Sequence, residues 1–241
     1  MKQRIGIAIL VCAAMFACTP NNVKTDAAIA KIMDSAGMKG CFALMENGSG
    51  QFTISDLSMY KDSAYAPLAT FFALPSLIAL DRGYINHNAA TWITTDSTNY
   101  YVSLMEKISR ADLIKTIDSI HYGKGIISAS MNDFWKDASL RITADEQLGF
   151  IKKLYFNELP FQKRSQDMYK KMILKEDNAG YKLSYIQGID ASKAAWIMGY
   201  VEENKHPYFF VMHATTIQSN KTPIDVLKSI LLQQGFLKGV R

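Results

Sequence analysis

Residues 134–161 read FWKDASLRITADEQLGFIKKLYFNELPF, and this stretch says most about the fold. Its centre is a helix start. Thr143-Ala144-Asp145-Glu146 has the form of a capping box, in which a hydroxyl and a carboxylate three residues apart satisfy two otherwise unpaired backbone N–H groups. Leu148, Ile151, Leu154 and Tyr155 then recur on one helical face, so the segment predicts a helix packed against a core.

Working outward, the centre of the chain is helical. The patterning predicts a helix over 97–108 and another running to Ile120, which Ser109-Arg110-Ala111-Asp112 can cap and His121-Tyr122-Gly123 stops. An amphipathic segment follows over 164–174. Beyond Asn178-Ala179-Gly180 the period changes, and 181–189, 195–202 and 208–215 read as strands, with Asn204-Lys205-His206-Pro207 as a turn. Thr222-Pro223 opens a last helix that ends near Gly235.

Toward the amino terminus, residues 26–36 carry apolar positions at helical spacing. Gly40–Met45 and Gln51–Ser55 flank Asn47-Gly48-Ser49-Gly50, a hairpin signal because Asn and Gly tolerate positive φ. Two strands, a run of helices, three strands and a closing helix imply one antiparallel sheet that the chain leaves and re-enters.

The central stretch resembles the class D (oxacillinase-type) serine β-lactamase run FWLEGSLKISxxEQxxFLxxLYxNxLPF without a gap. Gly40-Cys41-Phe42, Ser76–Gly83 and Trp196–Glu202 extend the resemblance over nearly all of the chain after its first residues. The chain is therefore identified as a member of the β-lactamase/penicillin-binding transpeptidase-like family. The resemblance implies an α/β (α+β) fold, with a sheet of five or more antiparallel strands, flanking helices and a helical subdomain.

The same resemblance directs attention to residues 65–80, YAPLATFFALPSLIAL. In the family this segment carries the acylated Ser and, three residues on, the Lys that takes its proton, a spacing that puts both on one helix face. Here the two positions are Ala69 and Phe72. A methyl cannot be acylated, and a phenyl ring can neither accept a proton nor be carboxylated.

The Lys-Thr/Ser-Gly strand motif of the family, whose Lys attracts a substrate carboxylate, reads Ile186-Gln187-Gly188. Only the Gly is kept, so close backbone approach is preserved and the cation is not. The class D Tyr-Gly-Asn becomes Tyr122-Gly123-Lys124. Ser97-Thr98-Asn99 has two readings: a hydroxyl and amide acting on substrate, or a helix N-cap. Ser130-Met131-Asn132 repeats that pattern elsewhere. The possible cleft is accordingly Thr70, Ser97, Asn99, Trp135, Ile186, Gln187 and Gly188. The family counterpart of Trp135 packs beside the catalytic Lys.

No replacement couple is evident. Ser58-Met59-Tyr60-Lys61 fits Ser-x-x-Lys by letter but follows a strand-like run, where three-residue spacing would not align the side chains. Thr70 is rotated by roughly 100° from its neighbour on a helix, and Ser63 and Ser76 have no base at helical spacing. The four His residues form no pair at metal-ligand spacing; His206 falls in the turn, and His121 and His213 read as structural. No cofactor or metal is expected.

Residues 1–18 combine a basic MKQR, an apolar run and Met15-Phe16-Ala17-Cys18, the layout of a secretory signal with a lipobox-like end. The expected organisation is a signal peptide over 1–18, a tether over 19–25 and one domain over 26–241. Cys18 is the lipidation candidate, with simple secretion as the alternative. With Cys12 in the leader and Cys18 lipidated, Cys41 remains alone, so no intrachain disulfide is expected. The net charge of +5 includes Lys2 and Arg4, and no clustered basic face with interleaved aromatics suggests nucleic acid.

Two functional readings follow. One is a non-catalytic envelope lipoprotein that binds peptidoglycan fragments or a protein partner, in the periplasm or on the outer membrane. The other is an active class D-type β-lactamase or transpeptidase with a relocated nucleophile. Oligomeric state is left open.

Overall fold

Local signals set most of the elements, and tertiary pairing sets the rest. The computed structural model describes residues 22–85, 98–125, 127, 131, 133–191, 193–218 and 221–239. In chain order the elements are β1 (Val23–Thr25), α1 (Ala27–Ser35), β2 (Met38–Glu46), β3 (Phe52–Ile54), α2 (Leu57–Lys61) and β4 (Ala64–Tyr65). A 3₁₀ helix (Leu68–Phe72) then leads into α3 (Ala73–Asp81), followed by α4 (Thr98–Met105), α5 (Arg110–Ile120), β5 (Lys124–Gly125) and β6 (Leu140–Thr143). The remainder is α6 (Ala144–Phe156), α7 (Lys163–Ile173), β7 (Leu174–Asp177), β8 (Lys182–Ile189), β9 (Ala195–Glu203), β10 (His206–Ile217) and α8 (Pro223–Gln233).

The main sheet has seven strands in the order β1-β3-β2-β10-β9-β8-β7. It is mixed rather than purely antiparallel, because β1 runs parallel to β3. That edge strand takes up residues 23–25, which the sequence alone reads as tether. Strands β4, β6 and β5 form a small second sheet.

Strand β10 shows why the sheet sits in the middle. Phe209 and Val211 face one layer and Phe210 and Met212 the other, and all four are buried, so the strand reads as a continuous apolar run rather than an alternating one. On one face α1 and α8 supply Ile29, Met33, Leu227 and Ile230. On the other, α3 and α6 supply Leu74, Leu77, Leu148 and Ile151. Each such side chain contributes about 1.5–3 kcal/mol on leaving water.

The capping box forms as its letters predict: the Thr143 hydroxyl accepts from Glu146 N at 3.1 Å, and Thr143 N donates to Glu146 Oε2 at 2.8 Å. Asn157 ends α6 at φ 59, and His121 ends α5 at φ 55. Thr222 and Asp225 make a second box at α8.

Three local expectations are corrected. Asn204 and Lys205 alone make the β9–β10 turn, both at positive φ as a two-residue hairpin demands. His206 and Pro207 already belong to β10; Pro207 is accommodated because β2 ends at Glu46, opposite Tyr208, and needs no N–H from it. Residues 58–61 lie on a short helix that follows β3 rather than in extended chain, since Asp56 caps α2 by accepting from Met59 N at 2.8 Å. Finally, the segment 65–80 enters through β4 and a 3₁₀ turn before becoming α-helical at Ala73.

Candidate functional site

Two hydrogen bonds fix the entry to the segment that carries Ala69 and Phe72. Trp196 Nε1 donates to Ala66 O at 2.8 Å, and Leu68 N donates to Trp135 O at 2.9 Å. Between these holds, Leu68 is driven to φ 53, a strained conformation for a residue with a side chain. The strain lies immediately before Ala69. The 3₁₀ helix has three residues per turn, so Ala69 and Phe72 eclipse one another on one side of it.

Gly188 brings β8 against this turn. A Cβ at Gly188 would lie 2.6 Å from Ala69 N and 3.0 Å from Thr70 N. Only a residue without one lets the strand approach so closely; the sequence reads this Gly as allowing backbone to approach a ligand, and what it approaches here is the 3₁₀ turn. Beside it Ile186 is half-buried against the core and Gln187 is exposed. Ala69 is half-buried against the same core layer. The structure thus brings Gly188 to Ala69, with Ile186 on the same face of β8, whereas Gln187 falls on the opposite face with Leu183 and Tyr185 and is not part of the expected cleft.

Phe72 turns inward. Its ring stacks on Tyr101, with centroids 4.2 Å apart and planes at 7°, and meets Trp135 edge-on at 5.2 Å. Trp135 therefore neighbours Phe72, as the resemblance implies. Phe71 lies at 4.9 Å edge-on to Phe134 and parallel to Trp135 at 6.1 Å. Phe71, Phe72, Phe134 and Trp135 are all at most 5% exposed. Aromatic pairs in such offset and T-shaped geometries contribute about 0.5–1.5 kcal/mol each beyond their burial.

Thr70 is a core residue rather than a cleft residue. It is fully buried, its hydroxyl donates to Pro67 O, and it accepts from Gln147 Nε2 at 2.8 Å. Gln147 Oε1 in turn lies 3.4 Å from the Tyr122 hydroxyl. This chain of polar groups satisfies itself and ties the 3₁₀ turn to α6. Burial raises the Tyr122 phenol above its ordinary range, so it stays a hydroxyl. Lys124, in the altered Tyr-Gly-Asn position, is exposed on β5 beside Arg141.

Ser97 and Cys18 lie outside the described residues, as does the side chain of Asn99, whose backbone belongs to α4. Ser58 and Lys61 are both exposed on α2. Ser76 is buried and donates to Phe72 O at 2.7 Å. Among the described residues no group of three His, Cys, Asp or Glu side chains could hold a metal ion.

Reading the sequence alone misses Tyr101 and Leu68, and reads His213 as structural without finding its aromatic partners. Tyr101 has helical spacing as its only signal, and nothing local pairs it with Phe72. His213 is sandwiched between Tyr65 at 4.0 Å and Trp196 at 4.1 Å, with Nδ1 buried and unpartnered. Burial alone pulls its imidazole down to about 3.

No protein-family model matches the sequence. Curated relatives do. β-Lactamase OXA-48 of Klebsiella pneumoniae is 31% identical over 203 residues, covering 73% of this chain and 76% of that protein. Regulatory protein BlaR1 of Bacillus licheniformis is 28% identical over 237 residues, covering 86% of this chain but 39% of that protein. The class D β-lactamase structure from Bacillus subtilis superposes with a TM-score of 0.78 at 20% identity, covering 89% of this chain and 99% of that one. These relationships, the first above all, establish that the chain belongs to the class D, OXA-type β-lactamase family.

Proposed function

We propose that this protein is a non-catalytic member of its family: an envelope lipoprotein, anchored through Cys18, that uses the penicillin-recognising scaffold to bind a peptidoglycan fragment or an envelope protein. The observation that carries the reading is the burial of Phe72 between Tyr101 and Trp135. The position from which the family draws its base is filled by a ring that cannot accept a proton, and Ala69 beside it offers no nucleophile. Ile186 in place of the strand cation removes the attraction for a substrate carboxylate. Three chemical functions are lost where the surrounding backbone is kept. The relationship to a protein named as regulatory supports a use of this fold other than hydrolysis.

The test is incubation of the purified protein with a fluorescent penicillin and with nitrocefin. No labelled band after denaturing electrophoresis and no colour change are expected. A covalent adduct, or turnover above that of the boiled protein, overturns the reading.

A further inference from the structure

The anchored reading has a geometric consequence for how the domain stands on its membrane. Asn22 is pinned to the sheet: its side-chain Nδ2 donates to Gly50 O at 3.0 Å, and its carbonyl accepts from Phe52 N at 2.7 Å. Strand β1 continues the pairing from Val23, opposite Phe52. Cys18 precedes Asn22 by four residues, and four residues span at most about 14 Å when fully extended. A lipidated Cys18 therefore holds the corner formed by β1 and the β2–β3 turn at the headgroups.

The registers locate the site relative to that corner. Val23 shares a row with Phe52, Met45, Phe209, Tyr200 and Ser184. Gly188 lies four residues further along β8, about 13 Å at strand rise. From β1 to β8 the sheet order also crosses five strand spacings, about 24 Å. The Ala69–Gly188 region is therefore diagonally opposite the point of attachment. Lys24 is exposed on the edge strand beside the tether, where a cation favours contact with anionic headgroups.

We infer that the bilayer surface is the partner of the β1 and β2–β3 corner, and that the Ala69–Gly188 face is held away from the membrane toward the envelope space. This rests on lipidation of Cys18. It concerns orientation, and is independent of whether the face binds a glycan, a peptide or a protein.

The experiment uses the full-length protein purified from membranes and reconstituted into phosphatidylcholine vesicles carrying headgroup-nitroxide lipid. One fluorophore is attached in turn to Gly48→Cys, where a Cβ meets no heavy atom within 4 Å, and to Gln187→Cys, which is exposed. Cys41 is buried and stays unlabelled in the native protein. Several-fold stronger quenching at position 48 than at 187 is expected, and a long flexible insertion after Cys18 should abolish the difference. Equal or reversed quenching in a lipidated protein overturns the orientation alone. A difference that survives the insertion overturns the tether argument. An intact mass showing Cys18 unmodified overturns the anchored reading and the orientation with it.

Discussion

Phe72 is the residue at which the proposed absence of a catalytic base and the stability of the fold can both be tested. In the described structure it is a packing residue, stacked on Tyr101 and edge-on to Trp135. Phe72→Ala should lose about 3–5 kcal/mol in urea denaturation, as expected for a buried ring whose neighbours cannot collapse onto the gap. Ala69→Ser should leave stability nearly unchanged and still fail to hydrolyse nitrocefin, because a hydroxyl without a base stays protonated. His213 offers a second measurement. The unfolded chain takes up a proton as pH falls below about 6.5, while the native imidazole resists until about 3. Across that window stability should fall with falling pH by up to about 1.4 kcal/mol per unit. His213→Phe keeps a ring between Tyr65 and Trp196 and should flatten the slope between pH 6 and 4. Carboxylates such as Asp167, held down to about 2 by Lys163 and Lys170, contribute only at lower pH, so the two effects separate.

At the scale of elements, the contact between β8 and the 3₁₀ turn is the one on which the site depends. Gly188→Ala places a methyl against Ala69 N and must push strand and turn apart; about 1–3 kcal/mol should be lost, as for other overpacked positions. Gly48→Ala, with open space around it, serves as the control and should change the urea midpoint little. The elements legible in the sequence were those with local chemistry at their ends: the Thr143–Glu146 box, Thr222-Pro223, and the Asn-Gly hairpin. Those that were not legible, β1, β4, β5, β6 and β7, are two to four residues long. Such strands exist through pairing with distant partners, and their own residues carry no period long enough to read. The short helix at 57–61 was likewise hidden, since one capping Asp and five residues do not outweigh a preceding strand-like run.

For the whole molecule, the buried Cys41 reports on global opening. Its thiol is pushed up to about 12, mainly by burial and with a further contribution from Asp56. It should react with a disulfide reagent only through unfolding, so the labelling rate should follow the denaturant dependence of the global transition; fast labelling of native protein would contradict the two-layer packing. What the sequence by itself determined was kinship, through a long ungapped run of family residues; that Ala69, Phe72 and Ile186 stand where the reaction needs a hydroxyl, an amine and a cation is what the resemblance implies, and the proposed function builds on it. Residue identity suffices there, because a methyl or a phenyl cannot do that chemistry in any fold. What only the tertiary structure decided was where those side chains go. Thr70 turns into a buried hydrogen-bond chain with Gln147, and Phe72 finds Tyr101. Gly188 closes on Ala69 across more than one hundred residues of chain. These are contacts between segments far apart in sequence, and they are fixed by the sheet order and by packing, which no local pattern encodes.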